Sequence, residues 1–150
     1  MRSNNRFSLQ CLGKGDLLES TQIALSSRFE IQFKNCSDSL EKQTKAWFES
    51  YFDGSPLPIY PPLYLEGTPF QQSTWRLLQQ IPFGAVKTYA QVAEEANAPR
   101  GSRAVGNACG KNRFILLIPC HRVIRSDGSI GGFAIDLEIK RRLLAFETQL

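Results

Sequence analysis

The sequence predicts an α/β protein in two parts: a small sheet with one helix over residues 1–66, then a mainly helical part over residues 67–150. Three observations predict it. Phe7, Leu9 and Cys11 alternate with polar neighbours, as do Phe29, Ile31 and Phe33, which is the period of half-buried strands. Two Thr-x-x-Gln capping boxes, Thr68 to Gln71 and Thr88 to Gln91, open helices in the second part. The charge also divides: residues 1–66 carry seven Lys/Arg against eight Asp/Glu, net −1, and residues 67–150 carry eleven against six, net +5.

Taken in order, Gly13-Lys14-Gly15-Asp16 reads as a turn between the two strands. Ser37 to Phe52 reads as a helix with Leu40, Trp47, Phe48 and Tyr51 on its apolar side. Asp53-Gly54-Ser55-Pro56-Leu57-Pro58 breaks it, and with Pro61-Pro62 makes residues 53–66 a linker. Pro69 at a first helical position starts a helix that stops at about Gln80, before Pro82. Thr88 opens the next helix, to about Ala96. After the turn Asn97-Ala98-Pro99-Arg100-Gly101, Ser102 is expected to cap a third helix carrying Arg103, Val105 and Ala108. The last two helices and their tight turn form a helix-turn-helix. Beyond them run an apolar stretch, Phe114 to Ile118, an expected hairpin turn at Ser126-Asp127-Gly128, and an amphipathic helix from about Asp136 to Glu147 with Leu143, Leu144 and Phe146 inward.

Composition excludes several function classes. An apolar fraction of 42% and a charged fraction of 21% describe an ordinary globular chain. No apolar run is long enough to span a bilayer, and residues 1–5 lead into no signal-like stretch, so a cytoplasmic location is expected. The four cysteines, Cys11, Cys36, Cys109 and Cys120, form no Cys-x-x-Cys pair, and His121 is the only histidine, so neither a metal nor a disulfide framework is expected. Cys11, Cys36 and Cys109 read as small buried hydrophobes. Between Ala96 and Ser126 stand Arg100, Arg103, Lys111, Arg113, Arg122 and Arg125 with no carboxylate, a pattern shared by phosphate-binding surfaces and by solvated basic faces.

Chemistry concentrates at Ile118-Pro119-Cys120-His121-Arg122-Val123. A cysteine becomes nucleophilic where its thiolate is favoured, and a histidine and cations in the neighbourhood do that. Adjacent residues need not face one another, so an inert buried Cys120 stays open on this evidence.

The same stretch resembles the active-site signature of the O6-alkylguanine-DNA alkyltransferases, the methylated-DNA–protein-cysteine methyltransferases. Gly67 to Phe70, Trp75, Ile81 to Gly84, Thr88-Tyr89, Arg103 to Gly106, Asn112, Pro119 to Ile124, Lys140, Leu143 to Ala145 and Glu147 are similar to that family in order and spacing. The resemblance covers residues 67–150 and is weak over 1–66.

It implies a ribonuclease H-like sheet-and-helix domain followed by a winged helix-turn-helix-like domain. It implies a monomer that binds double-stranded DNA carrying O6-alkylguanine and flips the damaged nucleotide out. Cys120 would take the alkyl group irreversibly, with no cofactor, no membrane and no obligatory protein partner. His121 would accept the thiol proton through a water, oriented by Glu147, and Asn112 would brace the turn. Arg103 would fill the vacated stack, and Tyr89 would crowd the phosphate. Tyr89 and Lys140 would ease proton delivery to the departing guanine. Thr88, Ser102, Arg122 and Arg113 would join the DNA surface. Val123, Ile124, Phe133, Ala134 and Ile135 would line the base pocket.

Two departures bear on this. Arg113 stands where the family often has proline. Phe133-Ala134-Ile135-Asp136 replaces a tyrosine, a small polar residue and glycines, which predicts that methyl is accepted and benzyl poorly. The alternative to alkyl transfer is a non-catalytic helix-turn-helix protein that binds lesions or regulates genes.

Overall fold

The computed structural model describes residues 7–8, 30–31, 38–63, 65–132 and 137–148 of the 150-residue chain. Cys11, Cys36, the expected turn at 13–16 and the segment 133–136 lie outside the described residues. The chain divides into two compact units, Met1–Leu63 and Tyr64–Leu150.

In the first unit, β1 (Phe7–Ser8) pairs antiparallel with β2 (Glu30–Ile31), Phe7 opposite Ile31. Helix α1 (Asp38–Phe52) buries Thr44, Trp47, Phe48 and Tyr51, one face at helical spacing. Trp47 stacks on Tyr51 at 5.7 Å between centroids and meets the edge of Phe48 at 5.4 Å. The helix ends because Gly54, at φ 80°, turns left-handed, so that its N–H reaches the Tyr51 carbonyl and the next N–H, of Ser55, reaches Ser50.

In the second unit, α2 (Pro69–Gln79) and α3 (Tyr89–Glu95) each begin with a complete capping box. Thr68 and Thr88 accept from Gln71 N and Gln91 N at 3.2 Å, and the two glutamine side chains reach back to the cap N–H groups. The packing of α2 and α3 on α4 (Ser102–Gly110) buries Trp75, Leu78, Val92, Ala93, Val105 and Ala108. Trp75 Nε1 donates to the Ala108 carbonyl at 2.9 Å, satisfying the indole and fixing α2 against α4. A 3₁₀ turn over Cys120–Arg122 leads into β4 (Val123–Ile124), and α5 (Leu137–Thr148) follows. Leu143 is buried, whereas Leu144 and Phe146 are half-buried, Phe146 presenting its ring edge-on to Phe83.

One local expectation is corrected. Ser102 is not the cap of α4. Gly101 takes that place because its N–H bonds the Ala98 carbonyl at 2.7 Å, and no side chain caps the helix. The apolar run Phe114 to Ile118 is buried from Ile115 to Ile118. It is wound into turns, with a single bridge from Ile115 to Ile118 and Leu116 at φ 71°. Residues 126–128 turn as expected: Arg125 N donates to the Ser129 carbonyl at 2.9 Å and Gly128 N to the Arg125 carbonyl at 3.0 Å, with Gly128 at φ 83°. β4 itself pairs in parallel with β3 (Lys87–Thr88): Lys87 opposite Val123, Thr88 opposite Ile124.

Candidate active site

The turns after α4 are organised by one side chain. Buried Asn112 donates from Nδ2 to the Ile118 carbonyl at 2.8 Å and to Cys120 Sγ at 3.2 Å, and its Oδ1 accepts the Phe114 N–H at 2.9 Å. One amide thus closes the loop on both sides and aims a donor at the sulfur. Cys120 is 2% exposed. Burial pushes its thiol up from 9.0 to about 11, while the Asn112 bond and the Lys140 charge act in the opposite sense. The neutral thiol is favoured at pH 7, so attack requires a base.

A group able to act as one is adjacent in sequence. His121 Nε2 lies 2.6 Å from Glu147 Oε1, and both side chains are buried. Burial by itself would raise the Glu147 carboxyl, but its bonds to His121 and Arg122 hold it down at about 2. An ionised carboxylate only accepts, so Nε2 carries the imidazole proton and Nδ1 holds a lone pair. Buried Nδ1 has no hydrogen-bond partner among the described residues. Burial lowers the His121 pKa, so the ring is neutral and able to accept a proton.

Arg122 does not belong to a DNA surface. It is 1% exposed, its Nε and Nη2 bond Glu147 at 2.8 and 3.0 Å, and its Nη1 bonds the Ile81 carbonyl at 2.7 Å. Its guanidinium carbon lies 5.7 Å from the Phe83 ring centroid. Gly84 N adds a bond to Glu147 Oε2 at 3.2 Å. Glu147 therefore receives N–H groups from three residues, and α5 is tied by one carboxylate to the reactive turn.

Lys140 is buried and donates to the Val123 carbonyl at 2.6 Å and to the Gly132 carbonyl at 3.0 Å. Burial lowers its pKa. Its Nζ lies 5.7 Å from the centroid of the Tyr89 ring, and the Tyr89 hydroxyl reaches the Gly132 carbonyl at 3.3 Å. Burial, then the two neighbouring thiols, push Tyr89 up to about 12.

A cavity of about 340 Å³ opens over these groups, lined by Tyr89, Ser102, Gly106, Cys109, Gly110, Cys120, Arg125 and Gly132. Ser102, Gly106, Cys109 and Gly110 are one face of α4, at the spacing that brings residues onto one side of a helix. Ser102 thus lines the cavity, and Arg103 is exposed next to it. Arg113 is also exposed, 4.0 Å from Glu66. Thr88 is half-buried with its hydroxyl in the α3 cap. Val123 and Ile124 run beside the cavity in β4 and are not among its lining residues. Phe133, Ala134 and Ile135 lie outside the described residues.

Five lining residues escaped sequence reasoning: Gly106, Gly110 and Gly132, and two with reactive or charged side chains, Cys109 and Arg125. Cys109 is buried as expected but shares the cavity with Cys120, and burial raises its pKa further than that of Cys120. Helical spacing from Ser102 could have found it. Arg125 read only as one cation of a basic window, and nothing local distinguished it.

Comparison with known proteins agrees with this geometry. The family model for the DNA binding domain of 6-O-methylguanine DNA methyltransferase matches residues 69–149. The methylated-DNA–protein-cysteine methyltransferase of Methanosarcina barkeri is 42% identical over 117 residues, 78% of this chain and 72% of that protein. The rat protein of the same name is 42% identical over 113 residues, 70% of this chain and 54% of that one. The solved O6-methylguanine methyltransferase of Mycobacterium tuberculosis superposes with a TM-score of 0.67 at 31% identity, covering 81% of this chain and 79% of that one. Mycobacterium tuberculosis OGT in complex with DNA gives 0.68 at 36% identity, covering 72% and 67%. The residues around Cys120, the cavity above it and these likenesses agree: the chain belongs to the O6-methylguanine-DNA methyltransferase family.

Proposed function

We propose that this protein repairs DNA by direct reversal, moving the alkyl group from O6 of guanine onto its own Cys120 once and irreversibly. The observation that carries the reading is Cys120 on the wall of an open cavity, next in sequence to a neutral histidine whose Nδ1 is left bare by the Glu147 bond. The thiol proton passes through a water to His121 Nδ1, and Glu147 stabilises the imidazolium. Sulfur attacks the alkyl carbon, the S–C bond forms as the C–O6 bond breaks, and guanine leaves with the bond's electrons. Tyr89, its hydroxyl protonated and on the cavity wall, relays a proton to the leaving base, with Lys140 beneath its ring. The product is a thioether that no neighbouring group displaces.

The finer assignments form part of the same proposal. Duplex DNA meets α3 and α4, a helix-turn-helix in a winged domain. Arg103, exposed at the start of α4, enters the stack, and Ser102, Arg113 and the Thr88 region contact the backbone. Residues 67–150 form the DNA-binding and transfer domain, and residues 1–66 a ribonuclease H-like cap. Val123 and Ile124 with Phe133, Ala134 and Ile135 border the base, methyl being accepted and benzyl poorly. The protein acts as a cytoplasmic monomer without cofactor or protein partner. No described helix is long and apolar enough to cross a membrane.

Intact mass and peptide mapping after mixing with duplex DNA containing O6-methylguanine test this. One methyl group on Cys120 with guanine restored is expected. Lesion binding with no mass change would leave the alternative, a non-reacting lesion binder.

A further inference from the structure

The cavity wall contains one cation that the transfer chemistry does not use. Arg125 is exposed, and its guanidinium has no ion pair or hydrogen bond among the described residues. Its backbone is nonetheless held. Arg125 N donates to the Ser129 carbonyl at 2.9 Å, and Gly128 N donates to the Arg125 carbonyl at 3.0 Å.

The nearest carboxylate in sequence, Asp127, is already engaged by Ser129, by N–H at 2.9 Å and by hydroxyl at 2.7 Å. Gly131 turns at φ +67°, and a Cβ there would stand 3.0 Å from the Tyr89 ring and 3.4 Å from Arg125 Cγ. The Arg125 stem and the Tyr89 ring therefore flank the same glycine, and both residues line the cavity. An exposed guanidinium on the wall of a ligand-sized cavity, its backbone anchored and its charge already felt by Tyr89 and Asp127, is arranged to meet an anion.

We propose that Arg125 forms, with the cavity wall beside Tyr89, a subsite for the phosphodiester of the nucleotide whose base enters the cavity. This rests on the alkyl-transfer reading above. The anion has two possible sources, the DNA backbone or a carboxylate on the alkyl group itself. The backbone is favoured because Arg125 is exposed, whereas Cys120, which meets the alkyl carbon, is buried. A phosphate held there keeps the nucleotide extruded while the base is seated, which contributes to binding and positioning and leaves the sulfur chemistry alone.

The test uses the full chain and its Arg125→Gln and Arg125→Lys variants. Transfer is measured on duplex DNA containing O6-methylguanine and on the free O6-methylguanine base, which has no phosphate. Binding to the same duplex is measured across salt concentrations. Arg125→Gln is expected to slow transfer from the duplex by about tenfold, to reduce the salt slope of binding by about one, and to change the free-base rate by less than about twofold. Arg125→Lys should recover part of the loss. An equal fall on both substrates, or an unchanged salt slope, would overturn the subsite. So would a loss confined to adducts bearing a carboxyalkyl group, which would assign the anion to the lesion. If the unaltered chain binds the duplex without methylating Cys120, the transfer reading fails, and the salt slope still decides the role of Arg125.

Discussion

Glu147 is a single carboxylate with two duties, and its substitutions separate them. Glu147→Gln keeps the volume but removes the charge that fixes the His121 tautomer and stabilises its protonated form. Single-turnover transfer should fall by about 10²-fold or more while the fold persists by circular dichroism. Glu147→Ala strands the buried Arg122 as well, at a cost of about 3–5 kcal/mol in chemical denaturation. Leu116 poses a different question, because it is fully buried and yet sits at φ 71°. An ordinary buried site loses about 1 kcal/mol more with glycine than with alanine. Here glycine relieves a left-handed strain of about 1–2 kcal/mol, so Leu116→Gly should be no less stable than Leu116→Ala in parallel melts.

Among the elements, capping decides the start of the helices that approach the cavity. Thr88→Ala removes the acceptor of the Gln91 N–H and should lower unfolding free energy by about 1 kcal/mol, read from denaturant midpoints. Both capping boxes were legible because each is complete within four consecutive residues. Cys120, His121, Asn112, Tyr89, Lys140 and Glu147 were legible as site residues through the resemblance, and the structure brings them around one cavity and one carboxylate network. Arg122 was not legible, because an arginine in a carboxylate-free window looks like a phosphate contact until Glu147, far along the chain, is folded against it. The apolar stretch Phe114 to Ile118 was legible as buried but not in its path. Its hydropathy says buried, and the bonds from Asn112 to Phe114 and Ile118 decide that it turns. Ser102 was misread because a backbone bond from Gly101 to Ala98 outranked its side chain.

For the whole molecule, the buried titratable groups define a pH range of greatest stability. His121 has an ordinary pKa of 6.5, lowered in the fold by burial, so below 6.5 the unfolded chain takes up a proton that the folded chain refuses. Glu147 falls from 4.5 to about 2 in the fold, against the pull of burial, so its contribution is complete above 4.5 and is lost as pH falls through about 2. At the alkaline end the sign reverses. Burial raises Cys120 from 9.0 to about 11, so its contribution is present below 9.0 and is lost as pH rises through about 11. Denaturant midpoints should therefore peak between pH 6.5 and 9, decline first on the acid side as His121 is charged, and collapse as Glu147 is protonated. A midpoint rising between pH 6.5 and 5 would contradict a neutral buried His121.

The parallel pairing of Lys87-Thr88 with Val123-Ile124 joins the chain just before α3 to the chain just after the nucleophile. A ladder of two residues a side has no reserve and opens as one unit. A methyl group on Cys120 crowds the 3₁₀ turn that ends at Val123, so the amides of Thr88 and Ile124 should exchange with heavy water faster in the spent protein than in the fresh one. The molecule then carries a solvent-readable record of its one use, written in the backbone beside the helices proposed to meet DNA.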